Sequence, residues 1–339
     1  MSDDGGVGFI SRDLPIVAQS AGWRRVRLAA LIGYAAVIVY IVATHGVPTG
    51  RLSLSVLIVA GLLISRLGEG WRRLGQVIVD WLPFTLVLLA YDRTRGIADA
   101  LGTPLHEADA VHWEHWLCDG IPTVWLQQHL YNPSHVYWYD ALTTLVYTSH
   151  FIATPVLAAI LWLRDRTLWL RYITRVIVLS VAGLVTYTLL PEAPPWLAAQ
   201  DHYIKYPIHR LSARGWEFVH LGNVKSLLAH AQDAGSNAVA AMPSLHTAFA
   251  TMIALFVGSR LTSRWRYLLA LYPLAMGFSL VYLGEHYVID VLGGVVYAVG
   301  TYAAVSYWER RRDARKAAMV AAASAARREP DDLAQAAAS

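Results

Sequence analysis

Long apolar runs separated by short polar connections dominate this 339-residue chain. About eight runs are long enough, or nearly so, to cross a lipid bilayer as a helix. They are residues 28–44, 52–65, 74–91, 141–163, 173–190, 245–259, 267–283 and 288–308. Because lipid cannot satisfy backbone hydrogen bonds, each span has to be helical. The pattern therefore predicts an all-α, polytopic transmembrane helix bundle, in which the second and sixth runs are the shortest.

Basic residues mark one set of connections between these runs. They cluster at positions 24–27, 66–73, 164–171, 260–266 and 310–316. Lys and Arg concentrate in cytoplasmic loops, so this side, with both termini, is predicted to be cytoplasmic. The opposite side carries two long loops, 92–140 and 191–241, and all thirteen histidines lie on it or close to it. The distribution predicts a multi-pass cell-membrane protein with its chemistry on the outer face.

The same pattern divides the chain into three parts. Residues 1–27 are predicted to be a cytoplasmic segment without a cleavable signal peptide, 28–308 the transmembrane domain, and 309–339 a basic, Ala-rich cytoplasmic tail. Charged residues make up 15% of the chain, well below the roughly 25% typical of soluble domains. The basic residues form topological signals and no single stripe, which argues against nucleic-acid binding. The single cysteine excludes an internal disulfide.

Two polar motifs at the starts of apolar runs carry the candidate chemistry. Ser244, directly before the sixth run, is a good helix N-cap, and it places His246 in a first turn whose amides favour an anion. His286 and Asp290 are four residues apart, so on a helix the carboxylate would orient the imidazole. Two helix starts that face each other would hold one phosphoryl group between two histidines. This arrangement suits nucleophilic attack with general-acid help.

Other interpretations of individual residues remain open. Either histidine taken singly is compatible with an interfacial residue bonded to lipid headgroups, and the constellation as a whole favours catalysis. In the first outer loop, His112, Glu114 and His115 do not share one helical face, so no metal site is predicted. The aromatic and aliphatic residues of that loop indicate an amphipathic helix in the headgroup region.

The motifs in combination resemble the type 2 phosphatidic acid phosphatase superfamily, and more closely its inositol phosphorylceramide synthase-like branch. The resemblance covers roughly residues 91–294. It is carried by Pro243-Ser244-Leu245-His246, Tyr282-Leu283-Gly284-Glu285-His286-Tyr287-Val288-Ile289-Asp290, Leu190-Pro191-Glu192-Ala193-Pro194-Pro195-Trp196, Tyr91-Asp92-Arg93-Thr94-Arg95-Gly96 and Ser149-His150-Phe151.

The resemblance implies a phosphohistidine route. His286 would attack the phosphorus, Asp290 would orient it and balance its charge, and His246 would protonate the leaving oxygen. Water or an alcohol would then take the phosphoryl group, with His246 acting as the base. The scheme requires no metal and no cofactor.

The sequence departs from the phosphatases of that superfamily in its cations. Those enzymes usually carry Lys and Arg in their first motif and Arg after the Ser of the third. Here the stretch before Pro191 is apolar and Leu280 follows Ser279. Lipid phosphotransferases resemble the chain better in this respect, and the phosphate charge has to be neutralised from elsewhere.

The predicted substrate-binding residues lie in the outer segments. Arg93 and Arg95 are the first candidates to bind the phosphate, and Asp92 would pair with them or contact a polyol headgroup. His150, near the outer start of the fourth span, is either a substrate-binding residue or a core histidine. Ser244 completes the predicted binding set. Weaker candidate cations in the second outer loop are Lys205, Arg210, Arg214 and Lys225.

The sequence thus predicts an integral membrane lipid phosphotransferase that acts on a phospholipid or a polyprenyl phosphate, among membrane lipids. A lipid phosphate phosphatase, with water as the acceptor, is the alternative, and the sequence does not decide between them. A transporter or flippase would require mid-span charges and paired halves, which the pattern lacks. A non-catalytic scaffold is disfavoured by the His246, His286 and Asp290 set. The lipid, the acceptor and the oligomeric state are not predicted.

Overall fold

The structure is a computed structural model, and it describes residues 21–45, 51–91, 100–218 and 240–337. These residues fall into two compact units. The first contains the helices before residue 91, and the second contains the described residues from 100 onwards.

The described part of the first unit consists of three helices, α1 (Ala21–His45), α2 (Arg51–Ser65) and α3 (Trp71–Tyr91). Tyr34 donates a hydrogen bond to the Leu57 carbonyl (2.5 Å), and Arg27 donates one to the Ser65 carbonyl (3.2 Å). The earlier residue of α1 bonds to the later residue of α2, and the later residue of α1 to the earlier one of α2, so the two helices run antiparallel. Arg27 also pairs with Glu69 (3.2 Å), in the turn after α2.

The second unit is also helical. Its elements are α4 (Ala108–Cys118), α5 (Pro122–Leu130), α6 (Trp138–Arg164), α7 (Arg166–Leu189), α8 (Pro195–Gln200), a 3-10 helix (Arg214–Glu217), α9 (Leu245–Gly258), a second 3-10 helix (Arg264–Ala270), α10 (Leu271–Tyr282) and α11 (Val288–Ala337). Over the described residues no β-strand forms, and only isolated bridges join extended segments. Helix covers every apolar run of the sequence, which confirms the all-α membrane bundle.

Among the described residues, four helices are long and apolar enough to cross a membrane by length and composition. They are Gly22–Thr44, Trp138–Arg164, Arg166–Leu189 and Val288–Ala322, with Ser53–Ser65 and Leu245–Gly258 as shorter apolar helices. The predicted count of about eight spans and the cytoplasmic placement of both termini stay predictions. Helix α11 continues without a break to Ala337, so the predicted boundary at residue 308 is not a change of secondary structure.

The distribution of apolar side chains is that of a membrane protein. Large aliphatic side chains such as Val181, Val185 and Val296 are exposed on the helices that are long enough to span. Tyrosines such as Tyr172, Tyr187 and Tyr282 are instead fully buried between helices. Because lipid is as apolar as these exposed side chains, packing and interhelical hydrogen bonds hold such a bundle together.

Helices α9 and α11 approach each other at backbone distance where both begin. A Cβ atom at Gly294 would lie only 2.3 Å from the Ser244 carbonyl oxygen, so only glycine fits this contact. The Ser244 N–H donates a hydrogen bond to the Asp290 carbonyl oxygen (3.0 Å). The Tyr187 hydroxyl on α7 donates to the Pro243 carbonyl (2.6 Å), so α7 supports the same junction.

A buried glutamine fastens the outer connections to the bundle. The Gln127 side-chain amide donates to the carbonyls of His209 (2.8 Å) and Tyr282 (2.9 Å) and accepts from the His209 N–H (2.8 Å). One side chain therefore joins α5, the segment after α8 and the end of α10. A side-chain amide offers two N–H donors and two acceptor lone pairs, and Gln127 uses three of these four positions.

Buried charges away from the candidate chemistry are paired. Asp140, in the first turn of α6, accepts from the Tyr282 hydroxyl (2.6 Å) and from the Tyr137 N–H (2.8 Å). Arg175 on α7 makes a two-pronged ion pair with Glu309 on α11, at 3.0 and 2.7 Å. Removing one partner of such a pair leaves a buried charge uncompensated, which is strongly destabilising. These groups are therefore explained by the fold.

The approach of α9 to α11 generates a matched test at two adjacent glycines. We expect Gly294→Ala to lower stability by about 1–3 kcal/mol, because the added methyl meets a backbone oxygen that has no rotamer to escape through. Gly293→Ala is the control, since its Cβ would lie at an ordinary 3.5 Å from Pro243. Both substitutions gain the same helix propensity of about 1 kcal/mol, so this contribution cancels. Thermal unfolding in detergent measures the difference, and equal unfolding temperatures would contradict the tight contact.

Candidate active site

His246 stands in the first turn of α9, where the sequence predicts it. Ser244 is the N-cap, with φ −63° and ψ 102°, and its side chain accepts a hydrogen bond from the Thr247 N–H (3.4 Å). This confirms the predicted cap, and Ser244 is fully buried. The cap fixes the start of the helix and so fixes where the His246 imidazole emerges. The predicted contact of Ser244 with substrate stays a prediction.

His286 stands in the turn between α10 and α11. Gly284 makes this turn with φ +79°, and a Cβ there would lie 3.0 Å from the His209 carbonyl oxygen. Helix α11 begins at Val288, the first residue of the predicted run, so His286 lies two residues before the helix and not on it as the motif suggested. The turn is required because α10 has to end and the chain has to reverse before α11 begins.

The predicted contact between His286 and Asp290 forms in spite of this difference. His286 Nδ1 lies 3.3 Å from Asp290 Oδ2, and the same oxygen accepts from the Tyr287 N–H (2.9 Å). The carboxylate therefore folds back over the start of the helix and holds both the backbone and the imidazole. Asp290 is fully buried and His286 nearly so.

The two histidines meet each other. His286 Nε2 lies 3.3 Å from His246 Nδ1, and the ring planes cross at 65°. When Asp290 accepts the Nδ1–H of His286, the lone pair of that imidazole is on Nε2, which faces His246. Asp290, His286 and His246 thus form a continuous row of polar side chains joined by two contacts of 3.3 Å.

A third imidazole borders His246. The His150 ring centroid lies 4.1 Å from that of His246, and Tyr147 stacks on the opposite side at 5.2 Å. Helix α6 begins at Trp138, twelve residues before His150, so His150 lies near the middle of its helix and its predicted place near the outer start is wrong. At a rise of about 1.5 Å per residue, the histidine cluster lies roughly 18 Å along α6. Whether His150 binds substrate stays a prediction.

A carboxylate from the first outer connection caps α11. Glu114 on α4 accepts hydrogen bonds from the N–H groups of Val288 (2.9 Å) and Ile289 (3.1 Å) and is fully buried. Burial raises the pKa of Glu114 to about 7. The sequence gave Glu114 only the role of a doubtful metal ligand. Among the described residues, no three His, Cys, Asp or Glu side chains are grouped so that they could hold a metal ion.

This cap changes the predicted phosphate site. The sequence predicts that two helix starts share one phosphoryl group, but the first amides of α11 already bind Glu114. The start of α9 is therefore the helix terminus that is left to attract an anion.

A second buried acid lies beside Asp290. Glu192 is fully buried, and its carboxyl group is within hydrogen-bonding reach of the Asp290 carboxyl. Burial, and secondarily the neighbouring Asp290, raise the pKa of Glu192 well above its ordinary value. The sequence predicts no role for Glu192, which is named only within the motif Leu190–Trp196. An acid between Leu190-Pro191 and Ala193-Pro194, in an apolar context, is the signal that indicates it.

The predicted phosphate-binding cations, together with Asp92, divide into three groups. Asp92, Arg93, Arg95 and Lys225 lie outside the described residues, and their roles stay predictions. Arg214 is a structural residue, because it approaches Asp140 (3.8 Å) and donates to the carbonyls of Asn132 and His135.

The third group contains Arg210 and Lys205. Arg210 pairs with Glu285, the residue before His286, at 2.9 Å, and lies over the Trp196 ring at 4.8 Å. Lys205 is an exposed side chain of the same segment.

Comparison with known proteins agrees with this geometry. Residues 111–304, more than half of the chain, match the model of the PAP2 superfamily, and this range includes all three histidines of the cluster. The phosphoinositol dihydroceramide synthase of Bacteroides thetaiotaomicron is 28% identical over 140 residues, which cover 39% of this chain and 44% of that protein. The chain thus spans less than half the length of this relative. No solved structure matches the chain. With its family model matched over the whole histidine cluster, the chain belongs to the PAP2 superfamily.

Proposed function

We propose that the chain is an integral membrane lipid phosphotransferase with a phosphohistidine intermediate on His286. It would move a phospho-headgroup, such as phosphoinositol, from a phospholipid to an alcohol acceptor. The observation that carries the proposal is the row Asp290–His286–His246, with its two contacts of 3.3 Å. The name of the Bacteroides relative supports the choice of headgroup.

In the first half-reaction, the Nε2 lone pair of His286 forms a bond to phosphorus. The bond between phosphorus and the lipid oxygen breaks, and that oxygen takes the proton of His246 Nδ1. Asp290 keeps the Nδ1–H of His286, so the imidazole gains positive charge next to a fixed carboxylate. The products are a neutral lipid alcohol and a phosphohistidine that carries the headgroup.

In the second half-reaction, His246 acts as a base. Its Nδ1 removes the proton of the acceptor hydroxyl while the acceptor oxygen attacks phosphorus. The bond between phosphorus and His286 Nε2 breaks, and the lone pair returns to the imidazole. A new phosphodiester leaves, and both histidines recover their starting states.

Water in place of the alcohol would make the protein a lipid phosphate or polyprenyl phosphate phosphatase. The first half-reaction is common to both activities, and PAP2 membership is compatible with both. The acceptor pocket therefore determines which activity is found. The distribution of basic residues supports the proposal that the membrane is crossed several times, with this site on the outer face.

The proposed nucleophile and acid generate the first functional prediction. We expect His286→Ala and His246→Ala each to lower turnover by about 10²–10⁴-fold or more, because each removes a group that forms or breaks a bond to a proton or to phosphorus. Asp290→Asn should also lose activity, because it no longer holds the required tautomer of His286. His115→Ala, an exposed histidine of α4, is the control. Full activity in either of the first two variants would rule out the phosphohistidine row.

The acceptor generates a second prediction. Purified protein in lipid nanodiscs, supplied with labelled phosphatidylinositol and a ceramide-type alcohol, should form a new phosphodiester that mass spectrometry detects. Formation should require the alcohol and should be absent in His286→Ala. Release of free phosphate or inositol phosphate without the alcohol would replace the transferase with the hydrolase.

The missing cations generate a third prediction. We expect Arg93→Ala, Arg95→Ala and Arg210→Ala to weaken substrate binding, because a buried phosphate needs compensating charge. The measurement is KM against kcat for each variant, with Arg264→Ala, on the predicted opposite side, as the control. An unchanged KM in all three variants would place the phosphate-binding cation elsewhere in the chain.

A further inference from the structure

Three buried carboxyl groups stand together behind the nucleophile. Glu114, Glu192 and Asp290 are each fully buried, and the negative charge of each acts on the next. Three adjacent negative charges in a buried site are unfavourable, so such a group keeps at least one proton. The question is which acid carries the proton and what it does with it.

The hydrogen bonds distinguish the three acids. Glu114 accepts from two backbone N–H groups, and Asp290 Oδ2 accepts from the Tyr287 N–H and faces His286. Over the described residues, no N–H group and no hydroxyl donates to Asp290 Oδ1 or to either carboxyl oxygen of Glu192. An ionised Glu192 would have both oxygens buried without a donor. A neutral Glu192 is itself a donor, and Asp290 is within its reach.

The backbone holds Glu192 in this place from two sides. The Ala241 N–H donates to the Glu192 carbonyl (3.3 Å), and the flanking residues Pro191 and Ala193 exchange hydrogen bonds with His106 (2.9 and 3.3 Å). The carboxyl group therefore cannot reach solvent without breaking these bridges. Glu192 has a fixed backbone and lies beside Asp290 Oδ1, an acceptor without a donor, so it is suited to orient the Asp290 carboxylate.

We propose, on the basis of the proposed function, that Glu192 is a positioning residue for His286: as a neutral carboxylic acid it donates a hydrogen bond to Asp290 Oδ1. The two oxygens of Asp290 are then held by different groups, Oδ1 by Glu192 and Oδ2 by the Tyr287 N–H. This fixes the plane of the carboxylate and the direction in which it faces His286 Nδ1. Asp290 remains ionised and can balance the imidazolium charge that forms during attack.

The proposal gives turnover a dependence on pH with a definite sign. Burial and the neighbouring Asp290 raise the pKa of Glu192, so its proton is present at neutral pH and is lost as pH rises. Loss of the proton would put two negatively charged carboxylates side by side and release the orientation of His286, so activity should fall on the alkaline side. Asp290, Glu114 and Tyr287 interact electrostatically with Glu192. His286 lies beyond Asp290, Glu107 lies beyond Tyr287, and the His106 backbone bridges that of Glu192.

Two substitutions at Glu192 separate the effect of the hydrogen bond from the effect of the ionisable acid. Glu192→Leu removes the donor, and we expect a loss of about 10- to 100-fold in kcat, with little change in KM. In Glu192→Gln, the side-chain amide donates to Asp290 and cannot ionise. This variant should recover most of that loss and should lack the alkaline fall. Glu217→Gln, a half-buried acid in the 3-10 helix Arg214–Glu217, is the matched control and should keep the wild-type pH profile.

A spectroscopic measurement tests the neutral acid without using turnover. The infrared difference spectrum of the wild type minus Glu192→Gln should contain the C=O stretch of a protonated carboxylic acid, sensitive to deuterium exchange. Its disappearance at alkaline pH should parallel the loss of activity. Absence of this band at neutral pH, or equal kcat and pH profiles in the wild type and Glu192→Leu, would overturn the proposal. If the band is present while no lipid is turned over, the neutral acid stands and the proposed phosphotransfer fails.

Discussion

The close approach of two helix starts is the constraint on which the rest of the site depends. The Ser244 carbonyl lies against Gly294, and the Ser244 N–H bonds to the Asp290 carbonyl, so α9 and α11 share backbone contacts within their first turns. His246 and His286 project from either side of this junction and meet at 3.3 Å. A separation of about one ångström at the junction would be passed directly to the two imidazoles, and such errors are costly in catalysis.

The buried polar groups of the bundle are of two kinds. Some have several hydrogen-bond partners and stabilise the fold, and others lack a hydrogen-bond donor. Gln127, Asp140 and the Arg175–Glu309 pair each have several partners and connect separate segments. In contrast to these groups, Asp290 Oδ1 and the two carboxyl oxygens of Glu192 accept no hydrogen bond from an N–H group or a hydroxyl of the described residues. Incomplete polar groups are expected where a structure serves chemistry as well as stability.

The sequence predicts the parts of this protein that local pattern encodes. Apolar runs mark the helices, and Ser244 before such a run marks the turn that carries His246. The start of α11 at Val288 is also predicted, because the last apolar run begins at that residue. The role of Glu114 was missed because its partner Val288 is 174 residues away. Long-range pairs of this kind leave no periodic signal along the chain.

The cap that Glu114 places on α11 has a consequence for anions. A helix start attracts negative charge, and here the protein has supplied its own from another segment. Glu114 is therefore an internal competitor for the amides of Val288 and Ile289, and a phosphate gains these two donors only by displacing it. The two helix starts beside the histidines thus differ. The start of α11 already binds the Glu114 carboxylate, and the start of α9 is left to attract an anion. Under the proposed function, a phosphoryl group would therefore approach from the side of α9.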